Sequence, residues 1–554
     1  MSQRGTKGHP PRRFGFDAEC YKVQDPSSMD DVFQLPPHER RLWMQAAARE
    51  IKSMQKLHVW DLVDLPPGKK PISLKWVFKV KPNSEGQADT YKARLVARGF
   101  SQRYGEDYDE TFAPVVKHDT VRVLLSLAAA QKLHVRHLDV KAAYLNSPLE
   151  EELYVKQPPG FEVQGQEHKV LLLRKSLYGL KQSARAWNKM ATDTLTSLGF
   201  EQAMADHCLF SKKEKNGSRT YILIYVDDLL VVGATPKITK EVGIQMDKFF
   251  QTKDLGEVKN YLGIQIEREG DGSILLHQRN KIEQLLEQYG LMECKPAPTP
   301  METGFLSVNQ ESPPMPDNTK YRQAIGSLLY VATVSRPDIA APVGFLCRHV
   351  EKPTEADWKA VKRVMRYLAA TKYMTLRLSS AGGIDLQCYV DADWAGDKAD
   401  RKSTTGFVFQ LGKNTVAWSS RKQSVVALSS TEAEYLAVSH ACRELLWLRQ
   451  LLKDLGIAVK DPTIIHEDNQ ACIKMVNSER YGARTKHVDV CHHHVRDLRA
   501  QGTIKLQYCP SDKMRADILT KPLCKDKFSR FAHLIGLEDH KDPKESAHDL
   551  TGAK

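Results

Sequence analysis

Apolar residues along this chain recur at two spacings, and the places where a spacing breaks carry the chemistry. SLKWVFKVK (73–81) alternates apolar and polar positions, which predicts a half-buried strand. HERRLWMQAAAREIKSMQKL (38–57) spaces Leu42, Ala46, Ile51 and Met54 at roughly helical intervals. KHDTVRVLLSLAAAQKL (117–133) predicts an apolar helix with Asp119 or Thr120 as its N-cap, followed by a strand at HVRHLDV (134–140). In ILIYVDDLLVVG (222–233), ten of twelve residues are apolar or glycine, the composition of a buried strand–turn–strand, yet Asp227 and Asp228 stand at its centre.

Further along, YRQAIGSLLYVATVS (321–335) and DWKAVKRVMRYLAATKY (357–373) predict helices, the second with a basic face of Lys359, Lys362, Arg363 and Arg366. A second α/β unit is predicted from IDLQCYVDADWAG (384–396). GFVFQL and TVAWSS form a hairpin across a short glycine turn, then come a helix from Thr431 to Leu452, a strand at PTIIHED, a helix near HVDVCHHHVRDLRAQG, a strand at IKLQYCP and a final helix near DKMRADIL. Residues 1 to about 40 mix proline, glycine and both charges without a lasting period and are expected to be a loosely ordered extension. The proline-rich stretch 296–318 reads as a linker.

A chain of 554 residues is long enough for roughly three or four folded units. Its net charge of +13 favours an anionic partner such as nucleic acid or a membrane surface. No run of eighteen apolar residues occurs and the N-terminus has no apolar signal core, so neither a spanning helix nor a secretory signal is expected. The ten cysteines are scattered singly, which suits a reducing intracellular compartment better than a disulfide scaffold. CHHH (491–494) is the one local metal-like cluster; adjacent histidines diverge on a helix or a strand, so it reads as a surface helix.

Two ionised carboxylates taken out of water cost several kcal/mol each unless a cation meets them. A hairpin turn by itself would favour Asn-Gly or Asp-Gly over Asp227-Asp228. Hard carboxylate oxygens suit Mg²⁺, whose charge relieves the repulsion within the pair. Asp139 ends another apolar strand in HLDVKAAYLN and supplies the third carboxylate that a pair of metal ions would need.

Tyr225-Val226-Asp227-Asp228 resembles the YxDD box of reverse transcriptases. The blocks KWVFKVK, YKARLVARGFSQ, YDETFAPVVK, LDVKAAYLN, LYGLKQSARAW, YVDDLLVVG, YLGIQIE and IGSLLYVATVSRPDIA resemble, in order, the copia-type branch of LTR retrotransposons. The resemblance implies a right-hand polymerase of fingers, palm and thumb that transfers a nucleotidyl group from a dNTP to a primer 3′-hydroxyl. Asp139, Asp227 and Asp228 would hold two Mg²⁺ ions, with Mn²⁺ as a substitute. Lys92, Arg94, Val140, Tyr144 and Gln182 would contact the nucleotide, Lys92 and Arg94 at the triphosphate and Tyr144 against a ribose 2′-OH. Arg98 is a further cationic candidate. Lys253 matches the family's proton donor only loosely and reads as a solvent-facing lysine. Ser183-Ala184 departs from the family's Ala-Pro.

In LQCYVDADWAG, strand alternation puts Leu386, Cys388 and Val390 on one face and Tyr389, Asp391 and Asp393 on the other. Glu432 and Glu434 open the next helix, Asp468 ends a strand and Asp517 falls in the final helix. This order resembles ribonuclease H, and DADWAGD, RKSTTGFVF, SSTEAEY, TKHVDV and ADILTKPL match its copia-type version. The resemblance implies Asp391, Glu434, Asp468 and Asp517 as ligands of two more Mg²⁺ ions. The mobile histidine that many such enzymes carry before the last aspartate has no counterpart in YCPSDKMRAD, and His487 is not assigned that role.

The expected class is α+β and α/β multidomain: an N-terminal extension (1–54), fingers and palm (55–275), linker, thumb and connection (276–380), a ribonuclease H-like domain (381–525) and a tail (526–554). Expected partners are RNA template, DNA primer, RNA–DNA hybrid and dNTPs, with no membrane, and with dimerisation or other retrotransposon proteins as further associations. The expected location is cytoplasmic, with a virus-like particle or the nucleus as alternatives. The alternative is a catalytically silent nucleic-acid-binding remnant; an integrase or transposase is disfavoured because no zinc-binding His/Cys head is present in the sequence.

Overall fold

The computed structural model describes residues 25–82, 88–305, 312–478 and 489–540. The chain is a mixed α/β multidomain protein whose backbone divides into two compact units, residues 1–113 with 142–194 and residues 114–141 with 195–554.

In the first unit, a capping box at Ser28 and Asp31 starts helix α1 (Met29–Gln34), and Pro37 opens α2 (Pro37–Lys56). The helix α2 lies on a hairpin of β1 (Leu74–Pro82) and β2 (Ala88–Ala97), with Trp43 fully buried between Phe78 and Tyr91 at ring distances of 5.2 and 4.7 Å. The expected loose extension is corrected where it is described: Ser28 caps α1 and α2 follows from Pro37, because their apolar faces have a hydrophobic cluster to enter, while residues 1–24 lie outside the described residues. The buried stripe of α2 is Trp43, Ala46, Ala47 and Met54, so Leu42 and Ile51 sit at its margins.

The second unit begins with α3 (His118–Ala130) and β3 (His134–Val140). The predicted N-caps are also corrected. Lys117 precedes the helix, the Asp119 carboxylate pairs with Arg122, and the Thr120 hydroxyl donates to Asp206 (2.6 Å). A six-stranded antiparallel sheet follows, built from β3, β4 (Leu209–Lys213), β5 (Arg219–Tyr225), β6 (Asp228–Gly233), β7 (Thr252–Glu257) and the short strand Glu201–Gln202. Its order is β7-β3-β6-β5-β4 and then Glu201–Gln202, which makes β3 and β6 interior neighbours.

The C-terminal α/β portion contains β8 (Leu386–Asp393), β9 (Thr404–Leu411), β10 (Asn414–Lys422), α4 (Ser430–Asp454), β11 (Thr463–Glu467) and β12 (Ile504–Tyr508). The sheet order is β10-β9-β8-β11-β12, antiparallel through β8, β9 and β10 and parallel through β8, β11 and β12. Gly412 turns the β9–β10 hairpin at φ 58, where a Cβ would run into the Gly382 carbonyl oxygen. Both faces of β8 are covered, so Cys388, Val390 and Asp391 are all buried.

Arg122 ties this portion to the rest of its unit. Fully buried, it donates from Nε to the Val416 carbonyl (2.7 Å) and from Nη1 to those of Thr333 and Val334 (2.9 Å each). The expected linker is held in place as far as it is described: Arg366 donates to the carbonyl of Lys295 just before it (2.6 Å) and Arg363 to Thr299 within it (3.2 Å). Two of the four cations of that basic face are thereby engaged. Of the expected tail, the described part is structured: helix Lys525–Leu534 packs in the core and strand Leu537–Asp539 pairs with Met374–Leu378, while residues 541–554 lie outside the described residues. Residues 491–494 fall in helix Asp489–Ala500; His487 and most of TKHVDV lie outside the described residues. Among the described residues no helix is long and apolar enough to cross a membrane.

Candidate functional site

The strand pairing of the six-stranded sheet brings remote residues into one row. Asp139 on β3 is the Cα partner of Asp228 on β6; Lys253 on β7 stands opposite Asp139, and Tyr225 on β5 opposite Asp228. Residues directly opposed across neighbouring strands share a face, so both carboxylates and the lysine project to the same side. Sequence reasoning set Lys253 aside. It is exposed, and its register makes it the cation beside Asp139.

Tyr225 pairs with Asp228, which leaves Val226 and Asp227 as a two-residue turn. Val226 adopts φ 55, a left-handed conformation that a β-branched side chain disfavours by roughly 1–2 kcal/mol. The Asp227 carbonyl accepts the Val140 N–H (2.7 Å), which anchors the turn to the end of β3. His137, two residues before Asp139 and therefore on its face of the strand, donates from Nε2 to Asp228 Oδ1 (3.1 Å). Asp139, Asp227 and Asp228 are half-buried. Half-exposed carboxylates, offering only oxygen donors, suit a hard divalent cation.

In the first unit, Lys92 and Arg94 share one face of β2. The Arg94 guanidinium lies over the Tyr178 ring (5.1 Å), and Tyr178 meets Tyr144 edge-on (5.0 Å). Gln182 is buried; its Oε1 accepts from Gln102 Nε2 (3.0 Å) and its Nε2 donates to the Asp107 carbonyl (2.9 Å). Val140 is buried as well, with its N–H already engaged by Asp227. For these two residues the visible contacts are internal. Ser183, at the departure from the family pattern, donates its buried hydroxyl to the Leu177 carbonyl (2.7 Å).

The C-terminal site is built on β8, α4 and the end of β11. Asp391, Glu434 and Asp468 each present an oxygen within 4.8 Å of the others. Glu434 Oε2 is buried without a hydrogen-bond partner, an arrangement that costs about 1–3 kcal/mol until a cation or proton arrives. Burial pushes the Asp391 carboxyl up to about 6, against the pull of Lys521. Burial and then the neighbouring Glu467 hold Glu434 well above the usual carboxylate range. Glu432 turns away from this group, capping the chain at the Leu428 N–H (2.8 Å). Asp393 also departs from it, accepting from the Thr404 N–H, and burial raises it to about 7.

Asp517 does not join the three carboxylates. Its oxygens meet Lys521 Nζ (2.8 Å) and Lys527 Nζ (2.5 Å), and Lys521 also reaches Asp391 Oδ2 (3.5 Å). The predicted final helix is a 3₁₀ turn at this point, Arg515–Leu519, and Pro522 disfavours its continuation as helix beyond Thr520. That turn packs closely on β9: Gly406, the Cα partner of Asp391, has no Cβ, and one built there would meet Thr520 Cγ2 at 2.6 Å and Leu519 Cβ at 2.9 Å. Thr520 in turn donates its hydroxyl to Asp391.

Residues 57–303 match the protein family described as reverse transcriptase (RNA-dependent DNA polymerase). The chain is 38% identical over 525 residues to the retrovirus-related Pol polyprotein from transposon TNT 1-94 of Nicotiana tabacum, covering 93% of this chain and 39% of that polyprotein. A transposon Ty5-1 protein of Saccharomyces cerevisiae is 36% identical over 309 residues, which are 56% of this chain and 100% of the yeast protein. The chain belongs to the copia-type retrotransposon reverse transcriptase family. It spans well under half of the plant polyproteins it matches, 39% of the tobacco one and 34% of the Arabidopsis thaliana transposon RE2 one. A foamy viral protease–reverse transcriptase bound to double-stranded DNA aligns with a TM-score of 0.42 at 12% identity, over 84% of this chain and 69% of its own.

Three side chains escaped sequence reasoning, and each had a local signal. His137 precedes Asp139 by two, the spacing of one strand face. Lys521 follows Asp517 by four, the spacing of neighbours on one face of a helical turn. Glu467, beside Asp468, is fully buried with an unpartnered Oε2, and its signal was the acidic doublet itself.

Proposed function

We propose that this chain copies RNA into DNA at the Asp139/Asp227/Asp228 site and cleaves the RNA strand of the resulting hybrid at the Asp391/Glu434/Asp468 site. The register pairing of Asp139 with Asp228 supports the first activity most directly, since it joins two carboxylates 89 positions apart on one face. The first donor set fits Mg²⁺: all-oxygen, half-exposed, with Asp228 oriented by His137. In the second, the orphaned buried oxygen of Glu434 within a three-carboxylate group fits a divalent cation.

A bound divalent ion supplies charge stabilisation at phosphoryl oxygens and lowers the pKa of an attacking hydroxyl or water. Asp139, Asp227 and Asp228 would hold it in the polymerase site, with His137 keeping the Asp228 carboxylate turned toward the strand face. Lys92 and Arg94 would bind the dNTP triphosphate, and Tyr144 would exclude a ribose 2′-OH. Gln182 would act by holding the 102–108 loop against its own segment, through Gln102 and Asp107. In the nuclease site Thr520 orients Asp391 by donating its hydroxyl. Nucleic acid is the partner that a chain of net charge +13 would attract.

Primer extension on an RNA template with Mg²⁺ and dNTPs tests the reading. DNA product that disappears in Asp228→Asn supports it. A folded chain that binds hybrid duplex but makes no product and cleaves nothing would favour a silent binding remnant.

A further inference from the structure

Asp517 occupies the position in chain order at which the fourth carboxylate was expected to bind metal, yet both of its oxygens face ammonium groups. Lys521 Nζ lies 2.8 Å from Asp517 Oδ1 and 3.5 Å from Asp391 Oδ2, and Lys527 Nζ lies 2.5 Å from Asp517 Oδ2. Asp517 is fully buried and Asp391 nearly so. Lys521 therefore bridges two buried carboxylates, which is what a second cation in a two-ion site does. Metal ions in such sites stand about 3.5–4 Å apart and share a carboxylate, and an ion between Asp391 and Asp517 would coincide with the ammonium.

We infer that Lys521 takes the place of one divalent cation in the proposed ribonuclease site, which then binds a single ion on Asp391, Glu434 and Asp468. The inference rests on the nuclease reading of that site. Charge supports it: Lys521 and Lys527 already meet both Asp517 oxygens and Lys521 also reaches Asp391 Oδ2, which leaves Glu434 and Asp468, with Asp391, to a divalent ion. Packing supports it too. The absence of a Cβ at Gly406 lets the turn sit against β9, and Lys521 leaves that turn with its ammonium already beside Asp391. Asp517 becomes a positioning residue that holds Lys521 in place.

Ion counting tests this without relying on cleavage. The full chain carrying Asp139→Asn, Asp227→Asn and Asp228→Asn, so that the polymerase site is silenced, is bound to a duplex of 2′-O-methyl RNA and DNA, which is not cleaved. Bound Mn²⁺ is counted by electron paramagnetic resonance, and the count for the same chain with Asp468→Asn is subtracted. The expected difference is one ion with an isolated six-line spectrum, rising to two ions with a spin-coupled spectrum in Lys521→Met. Two ions with Lys521 intact would overturn the inference and leave the nuclease reading standing; so would a count that stays at one in a folded Lys521→Met chain. A difference of zero would instead remove the nuclease reading itself. Should Lys521→Met fail to fold, the count with Lys521 intact decides alone.

Discussion

Asp139 and Asp228 face each other across two antiparallel strands, and His137, on the same strand face as Asp139, holds the Asp228 carboxylate at 3.1 Å. Under the proposed function, Asp228→Asn removes a charged metal ligand worth several kcal/mol at the transition state, about 100- to 1,000-fold in rate. The expected outcome is loss of primer extension with hybrid cleavage unchanged, both measured on one preparation. His137→Ala should cost less, roughly tenfold, because it removes one hydrogen bond to a charged group. An equal loss of both activities in Asp228→Asn would argue for misfolding.

The converse substitution separates the second site. Asp468→Asn should abolish cleavage of an RNA–DNA hybrid and leave DNA synthesis within about twofold, since Asp468 belongs to the carboxylate group with Asp391 and Glu434. Synthesis and cleavage falling together would show that the two sites are not independent.

Gly406 faces Asp391 in register, and the turn carrying Asp517 and Thr520 lies where its side chain would be. Gly406→Ala should push Thr520 off Asp391 and weaken Mn²⁺ binding at that site about tenfold, at a stability cost of about 1–3 kcal/mol typical of overpacking. Titration calorimetry in a chain with the polymerase carboxylates replaced would show it. Unchanged binding would mean that the close approach is dispensable.

Arg336 and Asp338 form a buried ion pair (2.7 Å) that also takes the Tyr367 hydroxyl (2.7 Å). Removing one partner strands the other charge, so Asp338→Ala should lower unfolding free energy by about 3–5 kcal/mol. Replacing both with apolar residues of similar volume should cost much less. Urea unfolding followed by fluorescence measures both.

His440 is held down to about 4 by burial, then by the nearby Arg443 and Arg421. In the unfolded chain its proton binds near pH 6.5, so between pH 6.5 and 4 the unfolded state carries the extra proton and stability falls as pH falls. The neutral form contributes in full above pH 6.5. Because the ring is partly exposed, solvent screening reduces the effect to about 1–2 kcal/mol. His440→Gln should flatten the stability profile across that window, read from urea midpoints at stepped pH; a profile as steep as the parent's would assign the acid loss elsewhere.

Alternation in HVRHLDV and LQCYVDAD, the break at Asp227-Asp228 and the glycine turn at 412 were all legible in the sequence, because strand faces and turn chemistry depend on residues within a few positions of one another. The order of those elements also brought the family within reach. Which strands become neighbours is a different matter. The row Lys253, Asp139, Asp228 and Tyr225, the burial of Arg122 against Val416, and the entry of strand Leu537–Asp539 into a sheet all arise from packing between segments far apart in the chain. Tertiary structure also decided that Asp517 belongs to two lysines rather than to the carboxylate group: a side chain's charge is written in the sequence, but its nearest opposite charge depends on where Pro522 stops the turn and what Gly406 leaves room for.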